Sequence, residues 1–277
     1  MRLSVSNIAW PATADDAAAE VLRAYGAGGV EIAPARVCER PWEASAATVA
    51  ASRAAWEDRG LPIVALQALL FGRAELALFG SAADRAALAG HLAGIIDLAA
   101  GLGAEALVFG SPRNRRRGEL PLAEAERIAL PFFREIGRRA ADRGVWLCLE
   151  ANPPAYGCDF LTTSTAMIGF VAEIGTDGLG VHLDTGGMRL AGEDPDAVIA
   201  AAGPRWRHFH ASEPHLVPLG EGGVDHAAVA RALAATHYDG WVSVEMAPPP
   251  AGGDWRERLA RALAVARSAY VTPVSGR

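Results

Sequence analysis

A chain of 277 residues with 51% hydrophobic side chains can bury a substantial core and is far too apolar to remain disordered. Its formal net charge of −6 disfavours broad binding to nucleic acid or an anionic membrane, while leaving room for a local basic loop. The odd cysteine set, Cys38, Cys148 and Cys158 with no CxxC, disfavours a disulfide framework or thiolate zinc cluster and fits a reducing cytoplasm.

The N-terminus, MRLSVSNIAWP, has one Arg and a short apolar stretch ended by Pro11, unlike a signal peptide. Strand patterns follow over Arg2–Ile8, Gly29–Ala33, Pro62–Leu69, Ala106–Phe109, Val145–Glu150, Leu179–Asp184, Arg207–His210 and Trp241–Glu245. Helical patterns alternate with them over Asp15–Tyr25, Ala46–Arg59, Asp84–Leu102, Leu122–Arg143, Ser164–Ile174, Asp196–Ala202, Asp225–Thr236 and Asp254–Tyr270. Ser81 with Asp84 reads as a capping box, Gly60 and Gly144 as helix stops after Arg, and Pro195 as a first-turn residue. The longest apolar stretch, Ala86–Gly103, is interrupted by His91 and Asp97, so no membrane span is expected.

Strict βα alternation predicts a parallel sheet covered by helices, and eight repeats at this length predict closure. The expected fold is α/β, a single (β/α)8 TIM barrel over 1–277 with a loose tail from about 271 to 277. An open doubly wound sheet is disfavoured because no GxGxxG follows the first strand.

Four residues end strand patterns in the second half of the chain: Glu150, Asp184, His210 and Glu245. They recur at about 30 residues, the length of one βαβ unit. In a parallel barrel their side chains gather at the C-terminal rim, where active sites lie. Three carboxylates there repel one another, and a divalent cation resolves the repulsion. The bland alternative, separate helix caps and ion pairs, suits any one acid better than it suits all four ligand types together.

The segments LEANP (149–153), HLDTGG (182–187), HFHASEP (208–214) and VSVEM (242–246), with SNIAW (6–10) near the start, resemble the sugar phosphate isomerase/epimerase family. These are xylose-isomerase-like barrels that include the ketose 3-epimerases. The resemblance implies one divalent metal held by Glu150, Asp184, His210 and Glu245, with Mn²⁺ foremost and Mg²⁺, Co²⁺ or Zn²⁺ as alternatives. It also implies that Glu150 and Glu245 act as acid and base on a carbon next to a carbonyl. Two positions depart from the family pattern: its His three residues after the ligand Asp is Gly187 here, and its Arg six residues after the ligand His is Leu216. The standard ketose contacts are therefore absent.

Further candidates surround these four. His182 and His208 each precede a proposed ligand by two residues, so strand alternation points them to the same side, one layer deeper. His215 and Tyr156 follow strands and are expected to touch substrate; Trp10 and Phe71 are candidate pocket walls. The loop FGSPRNRRRG (109–118) brings Arg113, Arg115, Arg116 and Arg117 to the mouth, where Arg113 and Arg115 could grip a phosphate or carboxylate. Each has a bland reading as a core or solvated side chain. The expected partner is a small sugar or sugar acid, with an anionic group favoured by the arginine loop and a homo-oligomer left open. An inosose-dehydratase-like lyase on the same metal site is the runner-up. A barrel of the endonuclease IV type lacks its extra His ligands in LLFGR and VFGSPRNR, and a non-catalytic sugar binder has no use for two opposed glutamates.

Overall fold

The computed structural model describes residues 1–250 and 253–271. Eight parallel strands close in sequence order: β1 (Arg2–Ser6), β2 (Gly29–Ile32), β3 (Ile63–Leu66), β4 (Ala106–Phe109), β5 (Trp146–Glu150), β6 (Leu179–Asp184), β7 (Trp206–Ser212) and β8 (Trp241–Glu245). Among the described residues, nine α-helices cover the outside: α1 (Asp15–Ala24), α2 (Ala46–Asp58), α3 (Ala82–Leu102), α4 (Leu122–Asp142), α5 (Ser164–Ile174), α6 (Thr185–Ala191), α7 (Pro195–Ala201), α8 (His226–Ala235) and α9 (Trp255–Tyr270). The expected tail from 272 onward lies outside the described residues.

Local signals act where the sequence places them. Ser81 and Asp84 form a reciprocal capping box on α3. Gly60 and Gly144 adopt left-handed φ values of 73° and 71° after α2 and α4. α3 is long and apolar enough to cross a membrane by length and composition, but half of its most apolar window is buried within the protein.

Three expectations need correction. The third strand stops at Leu66 rather than Leu69, because Ala68 takes a left-handed φ of 55° and turns the chain outward. The seventh strand runs on to Ser212, where it pairs with Glu245. A helix, α6, follows β6 directly despite its two glycines. Asp184 caps it by accepting from the Gly187 N–H at 2.5 Å. Gly186 is required there, since a Cβ would lie 2.6 Å from the Glu213 carbonyl oxygen.

Strand alternation divides the side chains. Outward residues such as Val5, Leu149, Leu183, Phe209 and Val244 are fully or almost fully buried against the helices. Inside, the N-terminal end is plugged by Ala65, Ala106 and Cys148 with Trp146 and Trp241 packed on them. Arg2 and Arg207 lie over those indoles, at 4.4 Å from the Trp241 ring and 3.9 Å from the Trp146 ring. Burial pushes the Cys148 thiol up to about 12, consistent with an inert core residue. The C-terminal half of the lumen is polar instead.

Phe133, a residue of α4, is fully buried with edge-on contacts to Phe109 and Phe132 at 5.4 and 5.3 Å. Phe133→Ala is expected to destabilise the barrel by about 3–5 kcal/mol, read as a shifted urea midpoint. A loss below about 1 kcal/mol would show that this layer does not hold the helix.

Candidate metal and active site

The polar lumen is built by register. Glu150 pairs with His182, and His182 pairs with His208. Asp184 pairs with His210, and Ser212 pairs with Glu245. The four expected strand-end residues therefore do converge, and all four line one cavity of about 790 Å³ at the C-terminal mouth. The donor atoms of Glu150, His182, Asp184 and His210 lie within 4.8 Å of one another. Glu245 Oε2 lies 3.2 Å from His210 Nδ1.

Each carboxylate is held. Glu150 accepts from Asn152 Nδ2 at 3.0 Å. Asp184 accepts from Ser212 Oγ at 2.5 Å as well as from Gly187 N–H. Gly110 faces Glu150 so closely that a Cβ would lie 2.1 Å from Oε2, so no other residue fits without moving the carboxylate.

Sequence reasoning missed Glu31. It is fully buried on β2, and its oxygens receive His210 Nε2 at 2.9 and 3.1 Å and Ser243 Oγ at 2.7 Å. His208 Nε2 lies 3.4 Å away. The available signal was a lone acid inside the apolar run GVEI, costly unless partnered. With Nε2 engaged by Glu31, the other ring nitrogen of His210 faces the remaining acids. That Nδ1 is buried and makes no hydrogen bond of good geometry. His182 is buried and does not line the cavity, yet its ring reaches the same cluster of donor atoms. Its Nε2 lies 3.7 Å from Glu150 Oε1, and neither ring nitrogen is hydrogen-bonded.

The electrostatics match a site short of positive charge. Burial, then Asp184 and Glu245, raises Glu150 to about 8. Burial and Glu245 raise Asp184 to about 6. Burial alone would lower His210, but Glu31 and Glu245 more than offset it and hold it well above its ordinary value. Burial likewise would raise Glu31, yet His210 and His208 hold it well below the carboxylate range. Burial drives His182 well down, leaving a neutral ring. Three carboxylates, a held imidazole and an unbonded buried ring nitrogen are the hard and borderline donors a divalent first-row cation takes.

The outer candidates divide. Tyr156 and His215 both line the cavity, and the Tyr156 hydroxyl accepts from the His215 N–H at 2.9 Å. Phe71 lines it too, whereas Trp10 is buried and donates to Asp15. Of the arginines, Arg113 lines the cavity. Arg115 is fully buried behind it, with Nη2 on the Glu150 carbonyl oxygen at 2.6 Å. Arg117 is tied to the Asp159 and Leu120 carbonyls, so the loop is not a uniform basic lip. A second buried acid that sequence reasoning passed over, Glu213, accepts from Gly220 and Val224 N–H and faces His226, fixing the loop that carries His215.

A family model described as xylose isomerase-like TIM barrel matches residues 19–268. A ketose 3-epimerase of Arthrobacter globiformis is 32% identical over 110 residues, 40% of this chain and 38% of that protein. An L-ribulose 3-epimerase of Mesorhizobium japonicum is 31% identical over 111 residues, 40% of this chain and 37% of that protein. The matched stretches thus span well under half of either relative. A D-psicose 3-epimerase from Clostridium cellulolyticum H10, solved with D-tagatose, superposes with TM-score 0.81 at 17% identity, over 97% of this chain and 99% of that one. A second D-psicose 3-epimerase, solved with D-fructose, superposes with TM-score 0.78 at 21% identity over the same shares. These superpositions establish the shared fold.

Because Glu150 and Asp184 are raised, the folded, metal-free protein holds protons that the unfolded chain releases. Their contribution is therefore lost as pH rises from the ordinary carboxylate range through about 6 and about 8. Urea midpoints of the metal-free protein should show this fall, and Glu150→Gln should flatten it. Equal slopes for the two proteins would contradict the raised carboxyl.

Proposed function

The chain belongs to the xylose isomerase-like TIM barrel family, and we propose that it is a divalent-metal-dependent epimerase or isomerase of a sugar or sugar-derived keto compound. The observation that carries this reading is the gathering of Glu150, Asp184, His210 and Glu245 around one cavity. The similarity to ketose 3-epimerases over 40% of the chain supports it. Glu150, Asp184, His210 through Nδ1, and Glu245 would hold the cation, with Mn²⁺ the leading candidate. The bound cation would supply fixed positive charge against the negative charge that develops on the substrate's oxygens.

The chain's own residues would do the rest. Glu150 and Glu245 come from β5 and β8, across the lumen from one another. A carbon seated between them next to a carbonyl loses its proton to one carboxylate and regains one from the other on the opposite face. Asn152 holds Glu150 through Oε2, and His210 sits beside Glu245. Tyr156 and His215 meet the substrate's outer hydroxyls. Arg113 would meet an anionic group at the mouth, and Arg115 would support Glu150 from behind through its carbonyl.

Metal content tests the ligand set. Asp184→Ala and His210→Ala are expected to lose the cation, and Glu31→Gln to weaken its binding by about 10–100-fold, because Glu31 orients His210. Unchanged Kd values in all three variants would remove the assignment.

Solvent deuterium exchange tests the bases. Glu150→Gln and Glu245→Gln should each lower turnover by about 10²–10⁴-fold while one face of the substrate still exchanges. Near-normal epimerisation in both variants with metal bound would overturn the two-base reading. A substrate mass lower by one water would point to the lyase instead.

A further inference from the structure

The outer half of the cavity has features that a free monosaccharide leaves unused. Among the described residues, six non-glycine residues have left-handed φ, and four of them line this cavity: Ala68 at 55°, Ser111 at 42°, His215 at 59° and Leu216 at 56°. Such conformations cost about 1–3 kcal/mol each and persist where a ligand site over-determines them. The Ala68 turn is closed by Phe71 N–H on the Ala68 carbonyl at 3.0 Å. It lifts Phe71 to the mouth with its side chain 76% exposed, the most exposed large hydrophobic residue described. Leu70 lines the wall below it, and Leu216, Pro112 and Ala155 continue the apolar rim.

The floor is different in kind. There Glu150, Asp184, His210 and Glu245 bring three carboxylates and an imidazole to the lining. The whole cavity, about 790 Å³, falls in the range of about 300–1,000 Å³ that encloses drug-sized ligands, well above what a single hexose fills. A polar floor for the reacting oxygens and an apolar arc of rim around Phe71, beside Ser111 and Arg113, imply a substrate with two ends.

We propose that this rim is a subsite for a flat, apolar-faced substituent carried on the end of the sugar remote from the reacting carbons, seated on the Phe71 ring. The proposal rests on the reading of the floor as the metal and proton-transfer site. Phe71 gives the substituent an aromatic face. The left-handed turns at Ala68, His215 and Leu216 hold the rim open around it. An exposed aromatic ring facing water gains by covering its face, and the substituent gains by leaving water with it.

The test uses the Mn²⁺-loaded protein and direct binding, so that turnover is not needed. D-Fructose and D-tagatose are compared with their 6-O-methyl and 6-O-benzyl ethers by calorimetric titration. A further arm, a ketose bearing a second sugar ring at the same oxygen, distinguishes an aryl from a glycosyl source of the apolar face. The benzyl or glycosyl compound is expected to bind at least about tenfold tighter than the methyl ether, the scale of one aromatic contact. Phe71→Ala should abolish that advantage, and Phe71→Trp should restore it. Because Phe71 is largely exposed, its truncation removes little packing. An advantage that is absent in the wild type, or that survives in Phe71→Ala, overturns the subsite. Failure of the floor reading appears separately, as absence of solvent deuterium exchange from every compound.

Discussion

Glu31 holds His210 by Nε2, and the arrangement of the other acids follows from that contact. A buried carboxylate in a barrel lumen is unfavourable unless it is paired. Here the pair is an imidazole whose second nitrogen is thereby committed to the opposite direction, toward Asp184 and Glu245. Ser243 supplies a further donor to Glu31, so the carboxylate that holds the ring is itself fixed. Without this anchor the imidazole could rotate, and the three rim acids would lack a fixed nitrogen among them.

Glu150 and Asp184 hold protons above the ordinary carboxylate range in the metal-free protein. Both are raised, and the causes they share are burial and the charge of Glu245. Their neighbours keep them from moving apart. Ser212 and Gly187 hold Asp184, Asn152 holds Glu150, and the tight space at Gly110 accepts no side chain. The stored repulsion is thus confined to a small volume at the cavity floor, where positive charge relieves most of it.

The loops around that floor are themselves tied down. Arg115 through Nη2 and Arg117 through Nε and Nη1 are tied to backbone carbonyls, and Glu213 with His226 and Tyr270 forms a buried chain behind the His215 loop. The mouth therefore combines strained turns with rigid supports. Phe71 is left as the outward-facing aromatic group on a rim that is otherwise held in place.

The sequence by itself determined the barrel and half of its site. Alternating apolar periods of two and of about 3.6 residues mark strands and helices locally, and the repeat count specifies closure. A carboxylate at a strand's end advertises itself because it interrupts an apolar run beside a loop, which is how Glu150, Asp184 and Glu245 were legible. Glu31 was not, because its meaning lies in His210, 179 residues away along the chain. Barrel closure and strand register alone bring β2 against the lumen face of β7. The same holds for the arginine loop: four arginines within five residues read alike, but their burial depends on which one the turn after β4 points inward. α6 was hidden by Gly186 and Gly187, whose low helix propensity is outweighed by the Asp184 cap and the close approach of Glu213. Local composition is written in neighbours along the chain, whereas hydrogen bonds across the lumen exist only once the sheet has closed.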